Sequence, residues 1–549
     1  MKKKGPARAR QASPRFSPLD SSAGRTPTLL LFALYVALAQ IPILRIGFFA
    51  DDFIFFDAVR RFPLSEVLIG QHGIYPWYRP LSRELYFLAL AGFGEHARLL
   101  ADALGMAAVL ASTYFLYRIG TRFFRPQVAA GAALLFAAGE LTRFVAAWAS
   151  TFQDNLSVAL MLGAVFLESE RRRVPALLLA MAAPFAKETG FLVWGLLLAY
   201  RLAADRKLPG GRWWVAHGLA GTIALAGHLA VRALWQTGGW SFRAEPSIPD
   251  LFGRGPADVL RSFFPTGYWP EAWTGWAIAA LAGTVAAVLL LATGRSDRRP
   301  LPAPREALPW PGILFAATSA ALGFAPLVAG NLATLSAPTT YYAYPATPWL
   351  ACILIAALSR LRPIALAAAL PLWITCNLSG LAFREPNFDS FESWASTGRS
   401  TWWEQLRVGR ATDRLGEDLR RVLADRPESL VVLFTGLPAR SYLVLGWPAG
   451  PRVAGGSNGS LLFPRAGPGR PALGSGPSPL PGPLRLPPAR SGKGQCHAAG
   501  GRRGCSPSGF AGARGRVVRV PPVRGGVLRR GLHPRSRALA GGRSGEFLE

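Results

Sequence analysis

Long apolar runs recur along this chain from residue 28 to residue 381, and they constrain its fold more than any other feature. A bilayer core is about 30 Å thick, so a helix needs about 20 apolar residues to cross it. Within lipid a segment must satisfy its own backbone hydrogen bonds, which makes helices the natural form for such runs. The first run, Thr28 to Phe49, carries one charged residue, Arg45. Later runs include "LLADALGMAAVLASTYFLY", "QVAAGAALLFAAGELTRFVAAW" and "PIALAAALPLWITCNLSGLA". The pattern predicts an all-α polytopic membrane protein with about eleven transmembrane helices of roughly 13–22 apolar residues each.

The flanking charges set the direction of these spans. The start, "MKKKGPARARQASPR", is basic, and its lead is longer than a secretory signal would have. Residues 1–27 are therefore expected in the cytoplasm, with the first span retained in the cell (inner) membrane. Counted onward, "RIGTRFFR", "ESERRR", "DRKLPGGR", "GRSDRRPLPAPR" and "SRLR" all fall on the inner side, as basic loops should. The formal charge of +30 follows the same logic. Sixteen Lys or Arg against two Glu after residue 460 contribute +14, and much of the remaining +16 lies in those loops. No nucleic-acid partner is needed to explain it.

The expected organisation is a membrane domain over 28–381 with a long outer first loop, 49–96, then a small extracytoplasmic α/β segment over 382–455. That segment contains one strand-like run, "SLVVLFTGL". Residues 456–549 are rich in Arg, Gly and Pro and have no sustained period, so the tail is expected to be disordered. The tail reads either as a basic appendage or as an out-of-frame translation of GC-rich coding DNA, with the residue types favouring the second. Cys352 and Cys376 fall within apolar runs, Cys496 and Cys505 in the tail, and the four provide no disulfide framework.

On this topology an unusual set of polar residues collects on the outer face. Asp51 and Asp52 follow the first span. The first loop continues with Tyr75, Trp77, Tyr78, Arg79, Arg83 and Glu84. Glu140 and Arg143 share a helix face near the outer end of span three. Gln153, Asp154 and Asn155 open span four, Lys187 and Glu188 form an outer turn, and "TTYYAYP" supplies Tyr341, Tyr342 and Tyr344. Ionisable residues at membrane depth are costly and usually face a cavity or a partner. A cation can steady a phosphate leaving group, and a carboxylate can take an acceptor's proton. The same carboxylates, Asp51 and Asp52, are also of the kind that hold a divalent cation such as Mg or Mn. Plainer readings stand beside these. The Asp pair suits the first turn of a helix. Glu140 with Arg143 suits a structural ion pair, and the tyrosines suit an interfacial belt. His72 and His96 are isolated in sequence.

Three stretches resemble the GT-C superfamily of membrane glycosyltransferases, in particular the group related to protein O-mannosyltransferases and transmembrane/tetratricopeptide-repeat O-mannosyltransferases. They are "YRPLSRELYFLALAGFG", "VAAWASTFQDNLS" and "AAPFAKETGFLVWGLLLAY", which together with the acidic pair span roughly residues 28–205. The chain departs from that group in lacking histidines before the tryptophan segment and tetratricopeptide repeats after the last span.

The resemblance implies transfer of a sugar, with inversion, from a polyprenyl-phosphate donor among the membrane lipids to an extracytoplasmic acceptor. That acceptor is a protein, a glycan or a lipid. Carried over by residue, Asp51 or Asp52 is the catalytic acid position. Tyr78, Arg79, Asp154, Lys187, Glu188 and Tyr342 are the substrate-binding positions, with Arg79 and Lys187 towards the lipid phosphate. A transporter or lipid-linked-sugar flippase, or an inactive scaffold, is the alternative. A transporter is expected to show polar residues near the midplane and repeated halves, which this sequence does not display.

Overall fold

A computed structural model describes residues 22–41, 44, 47–48, 51–70, 78–235, 263, 272–295, 310–329, 339–358, 363–379, 431–433 and 517–519. The chain divides into two units. The first comprises Met1–Ser429 with Pro438–Cys496, and the second comprises Leu430–Leu437 with His497–Glu549. All described residues of the first unit are helical or in turns and connections. In the second, strands β1 (Val431–Leu433) and β2 (Val517–Arg519) pair in parallel. The strand-like run of the sequence thus contains a strand. Its partner comes from the stretch expected to be without structure, the rest of which lies outside the described residues.

Among the described residues each apolar run carries a helix. In order these are α1 (Ser22–Gln40), the short α2 (Asp51–Arg61), α3 (Leu64–Leu68) and α4 (Leu85–Gly92), then α5 (Ala97–Gly120), α6 (Pro126–Ala138) and α7 (Glu140–Ala147). They continue with α8 (Phe152–Ser169), α9 (Arg173–Ala186), α10 (Leu192–Asp205) and α11 (Gly211–Trp235). The last four are α12 (Ala272–Arg295), α13 (Trp310–Ala329), α14 (Thr347–Leu358) and α15 (Pro363–Ser379). Among the described residues two helical stretches, Gly94–Gly120 and Gly211–Val231, are long and apolar enough to cross a membrane. The pair α6 and α7, bent by 52°, makes a third if it is one span. Others, such as α9, are apolar but shorter than 18 residues. Large apolar side chains stand exposed on the outward faces, among them Leu178 on α9, Leu219 on α11, Leu314 on α13 and Leu372 on α15. Apolar surface on this scale fits a hydrocarbon solvent and is unfavourable in water.

Side-chain contacts at the helix ends fix the running directions. Asn155 on α8 donates to the Gly105 carbonyl on α5 (2.9 Å), and Arg118 on α5 meets Glu170 just past the far end of α8 (3.3 Å), so these two helices run the same way. Helix α9 runs back, because Lys187 after its end reaches Asp154 at the start of α8 (2.5 Å). Helix α10 returns, with Arg201 on Glu168 at the end of α8 (2.7 Å). The start of α5, the start of α8 and the end of α9 therefore lie at one end of the bundle.

Helix α6 sits at the centre. Pro126 opens it, where the missing N–H has no cost. Every residue from Val128 to Ala138 is buried. A Cβ on Gly131 would lie 3.0 Å from Leu370 and 3.1 Å from Ile355, so α14 and α15 pack close on it. The helix breaks at Gly139, and side chains take up its last carbonyls. Tyr35 donates to Leu134 O (2.9 Å), Gln40 to Ala137 O (3.0 Å) and Thr142 to Phe136 O (2.7 Å). Phe136 O also accepts from the Gly139 N–H (3.2 Å), and a buried carbonyl left without any partner at this break would cost free energy. The break turns the chain through α7 into the 149–151 turn that precedes α8.

A second turn, Glu188–Phe191, folds back over the end of α9. Gly190 makes this possible, since a Cβ there would lie 2.2 Å from the Ala183 carbonyl carbon. Gly190→Ala is expected to destabilise the protein by about 1–3 kcal/mol, whereas Gly210→Ala, with open space around it, should be near neutral. Thermal unfolding in detergent reads the difference, and equal melting of both variants would contradict the close approach.

Candidate functional site

Four charged side chains from three segments meet at the end of the bundle just defined. Arg79 stands at the entry to a π-helical turn, Pro80–Glu84. Such turns interrupt regular helix geometry and re-aim side chains. The segment is tied down by the Ser82 hydroxyl, which donates to the carbonyl of Ala186 at the end of α9. From there Arg79 donates through Nε to Glu188 Oε2 (2.8 Å) and through Nη2 to Glu188 Oε1 (2.7 Å). Its Nη1 donates to Gln153 Oε1 at 2.5 Å. Glu188 grips one edge of the guanidinium in bidentate fashion, the geometry in which arginine and carboxylate bind best.

Lys187 is wholly buried, as is the Asp154 side chain that it meets at 2.5 Å. Its Nζ also lies 4.3 Å from the centroid of the Tyr342 ring, within range of a cation–π contact. The second Asp154 oxygen, Oδ2, is buried without a hydrogen-bond partner among the described residues. Burial alone would push the Glu188 carboxyl up, but Arg79 and Lys187 outweigh it and hold the group below the usual carboxylate range. The stabilisation from this pair is therefore present above the ordinary carboxylate range and is lost as pH falls through the lowered value.

The acidic pair divides. Asp51 and Asp52 both lie in the first turn of α2, as the plainer reading of the sequence expects. Asp52 is fully buried, and its Oδ1 accepts from the Ser150 N–H (2.7 Å) and the Ser150 hydroxyl (2.5 Å). It thus latches α2 to the turn leading into α8. Asp51 is partly exposed. Tyr78, expected to bind substrate, donates its hydroxyl to Leu68 O at 2.7 Å and sets its ring edge-on to Phe185.

The structure therefore brings Arg79, Asp154, Lys187, Glu188 and Tyr342 together, and it ties Asp52 to Ser150 in the turn just before Asp154. Arg143 is buried within electrostatic reach of Glu140 and Tyr35, and Tyr344 packs on Phe136. Tyr75, Trp77, His72 and the Tyr341 side chain lie outside the described residues. Sequence reasoning did not single out Ser150 or Arg98. The latter meets Asp102 (2.5 Å) and donates to Ala147 O (3.0 Å). Their i,i+4 spacing on α5 was the available signal. Among the described residues no group of three or more His, Cys, Asp or Glu could hold a metal ion.

No protein-family profile matches the chain, and no curated protein matches it in sequence. Two solved structures are similar to it. One is ArnT from Cupriavidus metallidurans bound to undecaprenyl phosphate, at 15% identity and TM-score 0.36, over 77% of this chain and 85% of that one. The other is the same protein in the apo state, at 16% identity and TM-score 0.36, over 76% and 83%. A likeness of this degree assigns neither an activity nor a substrate to this chain, and it adds nothing to the narrower O-mannosyltransferase resemblance.

Removing one partner of a buried ion pair leaves the other charge uncompensated. Lys187→Met is expected to destabilise the protein by about 3–5 kcal/mol, and Lys187→Met with Asp154→Leu should recover most of that loss. Unfolding of the single and double variants in detergent measures both. A double variant as unstable as the single one would mean that the two side chains do not act as a pair.

Proposed function

We propose that this chain is a membrane glycosyltransferase of the GT-C type, moving a sugar from a polyprenyl-phosphate carrier to an acceptor on the extracytoplasmic face. The observation that carries this reading is the placement of Arg79 and Lys187 in one buried cluster, each oriented by its own carboxylate. Cations fixed in this way suit a phosphate that gains negative charge as it leaves, because no reorganisation is needed when the charge develops. With Nε and one Nη2 hydrogen turned to Glu188 and one Nη1 hydrogen donated to Gln153, the guanidinium has two of its five hydrogens left for a phosphate oxygen.

In this mechanism an acceptor hydroxyl attacks the anomeric carbon of the sugar. The carbon–oxygen bond to the phosphate breaks, and its electrons stay on the phosphate oxygen. The acceptor's proton passes to a carboxylate. Asp51 is assigned that role because it is partly exposed, whereas the Asp52 carboxylate is fully buried against Ser150. Asp52 then acts by holding α2 in place. A divalent cation, if one is bound, would be held by Asp51 and would supply further charge stabilisation for the departing phosphate. The motif resemblance over residues 28–205 supports the donor class and inversion at the anomeric carbon. The acceptor is a protein hydroxyl, a glycan or a lipid, and the sugar is a hexose or a pentose.

The test is release of free polyprenyl phosphate by the purified protein, given a panel of polyprenyl-phosphate monosaccharides and membrane extract. Asp51→Asn should lower the turnover about 10²–10⁴-fold, the range for loss of a general base. Arg79→Ala should reduce it by a comparable factor. Wild-type turnover in both variants would remove these assignments.

A further inference from the structure

His228 lies on α11, away in sequence from every residue of the cluster, yet it touches two of the three segments that build it. Its ring stacks on Phe185 (5.0 Å between centroids, 10° between planes), two residues before Lys187. It packs against Phe191 (5.5 Å), three residues after Glu188. It meets Tyr78 edge-on (6.4 Å), the residue before Arg79. Its Nε2 lies 3.0 Å from the carbonyl oxygen of Pro184.

That carbonyl sits where α9 gives way. The Lys187 N–H bonds to Ala183 O, Lys187 itself is extended (φ −160°, ψ 148°), and the chain then folds into the 188–191 turn. The last carbonyls of a helix need a partner from outside it, and a histidine side chain is one way to supply it. A carbonyl can only accept, so Nε2 must carry the hydrogen and, in the neutral ring, Nδ1 is the bare nitrogen. The ring is 5% exposed, so the bond forms out of competition with water.

We propose that His228 is a positioning residue for the cluster. Its Nε2–H caps Pro184 O, and its ring clamps the segments carrying Arg79, Lys187 and Glu188, so that α11 sets where the two cations stand. The proposal rests on the reading of Arg79 and Lys187 as the groups that face a lipid phosphate.

The experiment compares wild type, His228→Gln and His228→Leu in detergent, with a polyprenyl phosphate as the binding probe. The glutamine amide can still donate to Pro184 O, and leucine cannot. Binding should weaken about tenfold in His228→Leu, the equivalent of one buried hydrogen bond, and stay within about threefold of wild type in His228→Gln. In parallel, nitrogen NMR of histidine-labelled wild type should show the His228 ring neutral with its hydrogen on Nε2. Rescue by glutamine together with that tautomer supports the proposal. A hydrogen on Nδ1, binding by His228→Leu equal to wild type, or equal loss in both variants overturns it. Should His228→Leu not fold, His228→Gln and the NMR signal decide the matter. If wild type does not bind the probe at all, it is the phosphate reading that fails, while the NMR signal still tests the cap.

Discussion

Two cations buried at one end of a helical bundle stay charged only if each has an anion against it. Arg79 has Glu188, and Lys187 has Asp154. Taking such charges out of water costs several kcal/mol per ion, and close pairing with additional hydrogen bonds offsets that cost. The rest of the local architecture follows from the need to bring each cation within 3 Å of its own carboxylate. Lys187 and Glu188 are adjacent in sequence, so the turn at the end of α9 must aim one side chain at α8 and the next at the Arg79 loop. The extended conformation at Lys187 and the tight return at Gly190 accomplish this.

Breaking helices inside a packed bundle leaves backbone groups that water does not reach, and side chains provide for two such breaks here. At Gly139 the carbonyls at the end of α6 are taken by Tyr35, Gln40 and Thr142. At the end of α9, His228 takes Pro184 O and Ser82 takes Ala186 O. These five side chains come from four different segments. The irregular backbone that shapes the site is thus held by the regular helices around it, and a change in how those helices pack would move the charges.

Neutrality gives the cluster a further property. Two acids balance two bases, so the end of the bundle can sit in a low-dielectric setting without a large net charge. In the proposed reaction an incoming phosphate would meet cations already oriented and partly desolvated. The carboxylates that hold them would then compete with it, which favours a bound anion that can leave again.

The helices were legible in the sequence, because apolar runs and the basic residues between them are local, one-dimensional signals. The runs fall where α1 and α5–α15 stand, and the residue types of the cluster were visible as charges at the ends of those runs. The partnerships were not. Arg79 pairs with a residue 109 positions away and Lys187 with one 33 positions away, and no local pattern ties either couple. The roles of Asp51 and Asp52 were equally undecided, since adjacent acids in a first turn look alike until one of them meets Ser150 across 98 residues. His228, a lone histidine in an apolar helix, carried no signal at all. The sequence by itself determined that this chain is a set of apolar helices with charged groups collected at one side, since hydrophobicity and charge act residue by residue. Only the tertiary structure decided which acid holds which base, because that depends on where helices break and how they pack, and those are properties of the whole bundle.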